Sequence, residues 1–215
     1  VPFKIPVAHL GGGDVTIGAF DESLRHAITK LSHLHFCYAY SQACRIVQMG
    51  ESPTKVWITG NPALDKIHEI ADSVPVVEDA LVVIFHPVTL EYERTDEYID
   101  NLLAALAARS EPIVFILPNA DTSGRHIVKK LRKLSGATVY ANLVPGIFYN
   151  LLRHAKAIVG NSSCALMEAP SFELPAVNIG SRQEGRLRGE NVIDVGTSIE
   201  EISKGIELAV SPEFR

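Results

Sequence analysis

The sequence of 215 residues has few cysteines, no excess of basic residues and no long hydrophobic run. Its three cysteines, Cys37, Cys44 and Cys164, lack the spacing of a metal site, so we expect reduced thiols in a cytoplasmic protein and no bound metal. The net charge of −5 argues against partners such as nucleic acid or an acidic membrane surface, and any basic site must therefore be local. No apolar run approaches the roughly 18 residues that a membrane span needs.

Short apolar runs alternate with helical patterns along the whole chain. The apolar fraction of 47% and the mean hydropathy of +0.13 predict a globular protein with a substantial core. Strands are predicted at residues 5–10, 34–39, 55–59, 80–85, 113–117, 138–141, 157–159, 176–179 and 192–194. Helices are predicted at residues 21–32, 41–49, 63–71, 95–108, 124–134, 145–154, 163–172 and 199–210. This alternation predicts an α/β protein built from parallel sheets.

A short acidic, proline-containing link at residues 72–79 predicts a domain boundary. Residues 1–75 are interpreted as an incomplete N-terminal Rossmann-like domain, and residues 76–215 as a complete C-terminal one. Ligands of such sheets bind beyond the carboxyl ends of the strands. The distinctive polar residues of this chain follow predicted strands, so we expect the binding site there.

The most informative segment runs from Gly160 to Phe172, with the sequence GNSSCALMEAPSF. A predicted strand ends in a turn of small and hydroxyl-bearing residues that opens a predicted helix, an arrangement that suits an anion. Glu168 follows Ser163 by five residues and could reach a sugar hydroxyl beside that anion. These features suggest a nucleotide, most simply a nucleotide sugar. The alternative is an ordinary strand-to-helix turn capped by serines.

A basic loop follows the predicted strand at residues 176–179. It carries Arg182, Arg186 and Arg188 within seven residues. Because the planar guanidinium group pairs well with phosphate oxygens, these arginines could converge on a diphosphate. The alternative is a solvated charged loop.

Four stretches together resemble the hydrolysing UDP-N-acetylglucosamine 2-epimerases of sialic-acid and related nonulosonate pathways. They are residues 5–32 (IPVAHLGGGDVTIGAFDESLRHAITKLS), 85–89 (FHPVT), 118–125 (PNADTSGR) and 160–195. The resemblance implies a glycosyltransferase-B-like fold of two Rossmann-like domains with the substrate between them. It also implies that this chain lacks about the first half of the N-terminal domain and a C-terminal tail.

The resemblance further implies a reaction. Members of the family release UDP from UDP-N-acetylglucosamine and invert C2, giving N-acetylmannosamine by elimination and then addition of water. Carboxyl groups of differing pKa suit these proton transfers. No cofactor is implied, the partner is the UDP-sugar substrate, and the full-length protein is expected to form a homo-oligomer.

Family roles fall on specific residues of this chain. Asp21 matches a catalytic acid/base, although an aspartate there could simply cap a helix. His86 matches a substrate contact near the diphosphate, with a structural hydrogen-bonding role as the alternative. Asn119 and Asp121 match a loop that reaches the substrate, unless they form a plain Asx turn.

The resemblance assigns the nucleotide contacts to the second half of the chain. Ser162 and Ser163 match phosphate-binding hydroxyls, and Glu168 matches the carboxylate on the ribose. Arg182 matches an arginine near the nucleotide, and Arg186 is a further candidate.

The chain departs from the family at Gly11. The family usually has His-(Ile/Val)-Glu-Gly-Gly-Glu, whereas this chain has His-Leu-Gly-Gly-Gly-Asp at residues 9–14. The first glutamate is absent, Asp14 stands where the second usually stands, and a further catalytic aspartate would precede Val1. The loss of one acid/base group lowers a reaction rate by about 10²–10⁴-fold. Two alternatives to an active epimerase therefore stay open. One is a catalytically impaired UDP-sugar-binding fragment, and the other is a related glycosyltransferase-B-like enzyme.

Overall fold

The computed structural model describes residues 4–70, 74–118, 124–132 and 136–214. Its strands are β1 (Ala8–Leu10), β2 (Leu34–Cys37), β3 (Val56–Ile58), β4 (Leu81–Ile84), β5 (Ile113–Ile116), β6 (Thr138–Tyr140), β7 (Ala157–Gly160), β8 (Ala176–Ile179) and β9 (Val192–Val195). Its α-helices are α1 (Asp21–Leu31), α2 (Tyr40–Gln48), α3 (Thr95–Ala107), α4 (Gly124–Leu131), α5 (Pro145–His154), α6 (Cys164–Met167) and α7 (Ile199–Ala209). The strands form two parallel sheets, which confirms the predicted α/β class.

The larger sheet has six strands in the order β6-β5-β4-β7-β8-β9. Every residue of β4, β7 and β8 is buried, as expected for parallel strands covered on both faces. Leu81 and Val83 point into a core built with α3, α4 and α7. Val82 and Ile84 alternate into a second core built with α5 and α6. We call this half of the molecule the large-sheet half.

The smaller sheet has three strands in the order β1-β2-β3, and Leu10 lies opposite Phe36. Helix α2 packs against β2 and β3. Unlike the strands of the larger sheet, β1 and β3 leave large apolar side chains exposed, among them Leu10 and Ile58. We call this half the small-sheet half.

The two halves touch through the loop that follows β1. The Ile17 amide donates to the Glu184 carbonyl at 3.1 Å. Asp14 forms an ion pair with Arg186 at 3.0 Å. These contacts bring the carboxyl end of the smaller sheet to the loop that leaves β8.

Two of the predicted helices were wrong. Residues 63–71 were predicted as a helix, but Pro62–Glu69 is a 3₁₀ helix whose first turn is capped by Asn61 Oδ1, which accepts from the Ala63 amide at 3.0 Å. Residues 163–172 were predicted as one helix, but α6 is only four residues long and a 3₁₀ helix, Ala169–Phe172, follows it. Pro170 has no N–H to continue the α-helical pattern. In the part of the chain that the structure describes, none of the helices combines the length and the apolar character that a membrane span requires.

Candidate functional site

The turn after β7 is shaped by a close backbone contact at Gly160. Its φ is +140°, and a Cβ there would collide with the carbonyl oxygen of Ile84 on the neighbouring strand. Only glycine lets the chain leave the sheet this way. The backbone therefore turns directly over the end of β4, where His86 follows.

Asn161 is the fully buried residue that ties three strand ends together. Its Oδ1 accepts from the His86 amide at 2.7 Å, and its Nδ2 donates to the His86 carbonyl at 2.8 Å. Its own carbonyl accepts from Arg182 Nη1 at 3.1 Å and from Gln183 Nε2 at 2.8 Å. The ends of β4, β7 and β8 are thus held in one hydrogen-bonded unit.

A cleft of about 540 Å³ opens beyond this unit, and we call it the large-sheet cleft. Four residues singled out from the sequence line it: His86, Ser162, Ser163 and Arg182. Asn119 and Asp121 lie outside the described residues. Because α6 is only four residues long, the hydroxyl and guanidinium groups, rather than a helix end, make this cleft suited to an anion.

Burial sets the protonation of two groups in the large-sheet cleft. His86 is 5% exposed, and its burial, with the Arg182 charge as a second cause, lowers its pKa to about 4. The imidazole is therefore neutral at pH 7. Burial raises the pKa of the Cys164 thiol to about 12, so it stays protonated and unreactive. The thiol donates to the Ser162 hydroxyl at 3.2 Å, which leaves the hydroxyl proton available to a ligand.

Glu168 follows α6 and is partly buried. Its Oε2 is inaccessible to solvent and has no hydrogen-bond partner within the described part of the chain. Burial raises the pKa of this carboxyl group, and the nearby Arg186 charge opposes the rise. A buried acceptor without a donor is costly, so Glu168 suits a ligand hydroxyl.

A second cleft of about 390 Å³ lies at the end of the smaller sheet, and we call it the small-sheet cleft. Asp21, the first residue of α1, is exposed and lines it. The alternative that Asp21 caps the helix is wrong, because Phe20 occupies the cap position. Arg25, one turn along α1, donates to the Asp14 carbonyl at 3.2 Å and so fixes the loop that faces Asp21.

Asp14 and Arg186 close one side of the small-sheet cleft. The buried Asp14 carboxylate accepts from Gln42 Nε2 at 3.2 Å and pairs with Arg186 Nη2 at 3.0 Å. Arg186 also donates to Gln183 Oε1 at 3.3 Å. The loop after β8 therefore supplies one arginine to each cleft, Arg182 to the large-sheet cleft and Arg186 to the small-sheet cleft.

Sequence reasoning missed Asn161, Gln183 and Tyr38 as parts of the site. A polar residue directly after an apolar strand, as at Asn161, was the available signal. Tyr38 lines the small-sheet cleft but carried no motif. Across the described ranges, no group of three or more histidine, cysteine or acidic side chains could hold a metal ion.

Comparison with known proteins identifies the family. Residues 1–214 match the family model described as UDP-N-acetylglucosamine 2-epimerase. This chain belongs to that epimerase family.

Curated members of the epimerase family are longer than this chain. A GDP/UDP-N,N'-diacetylbacillosamine 2-epimerase (hydrolyzing) from Campylobacter jejuni is 34% identical, over 98% of this chain and 59% of its own length. A UDP-N,N'-diacetylbacillosamine 2-epimerase (hydrolyzing) from Legionella pneumophila is 33% identical, again over 98% of this chain and 59% of its own length. The chain thus spans less than two thirds of these relatives.

Solved structures in the epimerase family share the fold. The UDP-GlcNAc 2-epimerase of Methanocaldococcus jannaschii, in complex with UDP-GlcNAc and UDP, matches with a TM-score of 0.81 at 17% identity, over 100% of this chain and 65% of that one. The UDP-GlcNAc 2-epimerase of Neisseria meningitidis, bound to UDP-GlcNAc, matches with a TM-score of 0.74 at 19% identity, over 99% of this chain and 64% of that one. The glycosyltransferase-B-like fold is thereby confirmed.

Proposed function

We propose that this chain supplies the UDP-sugar site of a hydrolysing UDP-N-acetylglucosamine 2-epimerase. The observation that carries the proposal is the loop after β8, which places Arg182 in one cleft and Arg186 in the other. A ligand that spans both clefts needs an anionic centre near this loop and a neutral, hydroxyl-rich end. A nucleotide sugar has both.

The nucleotide end of the substrate is assigned to the large-sheet cleft. Ser162 and Ser163 donate from their hydroxyls, Arg182 offers paired N–H groups, and the neutral His86 offers one more N–H to the diphosphate. Glu168 Oε2, which has no hydrogen-bond partner among the described residues, accepts from a ribose hydroxyl. Asn119 and Asp121 remain proposed substrate contacts from the sequence alone.

The sugar end is assigned to the small-sheet cleft, with Asp21 and Asp14 as its carboxylates. Asp21 takes the proton from C2, the C2–H electron pair forms the C1=C2 double bond, and the C1–O pair leaves with UDP. A proton from solvent then adds to C2 on its other face with the C1=C2 electron pair, and a water oxygen bonds to C1. The proton lost by that water and the proton held by Asp21 both return to solvent. Positioned acid/base groups contribute about 10²–10⁴-fold to such transfers.

The relatives leave a choice of sugar. The Campylobacter jejuni and Legionella pneumophila proteins are epimerases of diacetylbacillosamine nucleotides, whereas the Methanocaldococcus jannaschii structure contains UDP-GlcNAc. UDP-N-acetylglucosamine is the proposed substrate here, and UDP-N,N'-diacetylbacillosamine is its comparison in every assay. The full-length protein is further proposed to be cytoplasmic and homo-oligomeric. The proposed domains of this chain are residues 1–75 and 76–215.

A second candidate function is UDP-sugar binding without turnover. The ion pair of Asp14 with Arg186, together with the Gln42 contact, favours it, because these two contacts occupy both oxygens of the Asp14 carboxylate. Gly11 supports the same candidate by bringing no carboxylate to the cleft.

The test is a paired assay of UDP and N-acetylmannosamine release from UDP-N-acetylglucosamine. The epimerase proposal expects both products from the wild-type chain and a loss of about 10²–10⁴-fold in the Asp21→Asn variant. Asp65→Asn, which changes an exposed aspartate outside both clefts, should match the wild type. Binding with no product would favour the second candidate, and release that is unaffected by Asp21→Asn would contradict the role of Asp21.

A further inference from the structure

Tyr38 is a polar side chain of the small-sheet cleft that the proposed mechanism does not use. It follows β2, at the same edge of the sheet where Gly11 follows β1. The two strands are parallel, and the Gly11 amide donates to the Phe36 carbonyl at 2.8 Å. Tyr38 therefore reaches the cleft beside Asp14, Asp21 and Arg25.

Gly11 and the Tyr38 ring fit each other closely. A Cβ on Gly11 would lie 2.5 Å from the Tyr38 hydroxyl oxygen and 2.8 Å from the ring carbon that bears it. Both distances are shorter than real Cβ contacts, and the φ of +75° at Gly11 also disfavours a side chain. The phenol hydroxyl thus fills the space into which a side chain at position 11 would project.

The backbone of Tyr38 is fixed by the same residue that holds Asp14. The Tyr38 amide donates to Gln42 Oε1 at 2.8 Å, and Gln42 Nε2 donates to Asp14 at 3.2 Å. Within the described residues, nothing hydrogen-bonds to the Tyr38 hydroxyl itself. The group is placed by its surroundings and keeps its own donor for a ligand.

We propose that the Tyr38 hydroxyl is a substrate-contacting group that donates a hydrogen bond to the sugar ring or its acetamido group. Burial, with the Asp14 charge as the next cause, raises the pKa of this phenol, so it is a neutral donor throughout the neutral range. This inference rests on the proposed function, because the proposed function assigns the sugar to the small-sheet cleft. The Tyr38 hydroxyl adds a hydrogen-bond donor to the two carboxylates of that cleft.

The test compares affinities for UDP and UDP-N-acetylglucosamine, measured by calorimetry on the wild-type chain and on Tyr38→Phe. Removing only the hydroxyl should lower the affinity for UDP-N-acetylglucosamine roughly 3- to 10-fold, as expected for the loss of one neutral hydrogen bond. The affinity for UDP should not change. Unchanged UDP binding also shows that the variant is folded. Tyr40→Phe is the matched control, since Tyr40 is two residues away and 75% exposed.

Each other outcome overturns the inference. Equal affinity of Tyr38→Phe and wild type for UDP-N-acetylglucosamine would show that the hydroxyl makes no contact with the sugar. An equal loss for both ligands would show a structural role. A wild-type chain that binds neither ligand would refute the proposed function, and the inference with it. If the wild-type chain binds UDP, the nucleotide part of the proposed function stands, and a negative result with Tyr38→Phe refutes only the inference.

Discussion

The two halves of the molecule hold their parts of the site by different means. In the large-sheet half, strands buried at every position end in a hydrogen-bonded unit centred on Asn161. In the small-sheet half, β1 and β3 are partly exposed, and Asp14 is held by Arg186 from the other half. The proposed anion-binding end of the site is therefore built into one sheet, whereas the proposed carboxylate end depends on contact between the halves.

The largest expected effect breaks the unit in the large-sheet half. Asn161→Ala removes the hydrogen bonds that its side chain makes with the buried His86 amide and carbonyl, and each bond lost from a buried group costs about 1–3 kcal/mol. We expect the free energy of unfolding, measured by urea denaturation, to fall by about 3–4 kcal/mol. Asn142→Ala removes an exposed asparagine and should cost much less. A similar loss for both variants would contradict the role of Asn161.

The contact between the halves is broken by Asp14→Ala. The variant removes the carboxylate that pairs with the partly buried Arg186 guanidinium. Breaking a fully buried ion pair in this way lowers the free energy of unfolding by about 3–5 kcal/mol. Because both side chains keep some exposure, we expect about 2–3 kcal/mol in urea denaturation. Combining Asp14→Ala with Arg186→Met should recover part of the loss. A double variant that loses the full sum would indicate that the two residues act independently.

A matched pair of substitutions compares the packing of the two sheets directly. Ile158 in β7 is 1% exposed, whereas Ile58 in β3 is 53% exposed. Ile158→Thr removes apolar area and buries a hydroxyl, so we expect it to lower the unfolding free energy by about 2–3 kcal/mol. Ile58→Thr should change it by less than about 0.5 kcal/mol. Equal effects in urea denaturation would mean that the sheets do not differ as described.

The pH dependence of stability sharpens the view of the large-sheet half. His86 has a pKa of about 4 when folded and an ordinary value of 6.5 when unfolded, so the unfolded chain binds more protons between these values. The contribution of the neutral His86 to the free energy of unfolding is fully present above pH 6.5 and is lost as the pH falls toward 4. The loss is about 2 kcal/mol at pH 5. His86→Gln should flatten this part of the profile in urea titrations from pH 7 to 5. Glu168, whose folded pKa is raised, changes stability in the opposite sense and is present in both proteins.

The sequence predicted most of the fold and four residues that the structure places around one cleft. Apolar runs predicted all nine strands of the described residues, and the local pattern is strongest in β4, β7 and β8, which are buried throughout. The prediction of one helix at residues 163–172 was wrong because Pro170 prevents a continuous α-helix there. Strand ends indicated His86, Ser162, Ser163 and Arg182, which the structure brings to one cleft.

The remaining site residues depend on contacts that are distant in the chain. The pairing of Asn161 with His86 spans 75 residues, and Tyr38 reaches Gly11 only because β1 and β2 are neighbours. Local sequence patterns contain neither contact. By contrast, α1 begins at Asp21, which is the residue where the sequence predicted this helix to start.

The most direct test of the central assignment is a calorimetric titration of UDP into the wild-type chain, Arg182→Ala and Arg132→Ala. Arg182 lines the large-sheet cleft, whereas Arg132 is an exposed arginine that lies outside both clefts. We expect the wild type and Arg132→Ala to bind UDP equally. Arg182→Ala should bind about 10- to 100-fold more weakly, as expected for the loss of a charged hydrogen bond. UDP binding that is unchanged by Arg182→Ala would contradict the assignment of the nucleotide to this cleft.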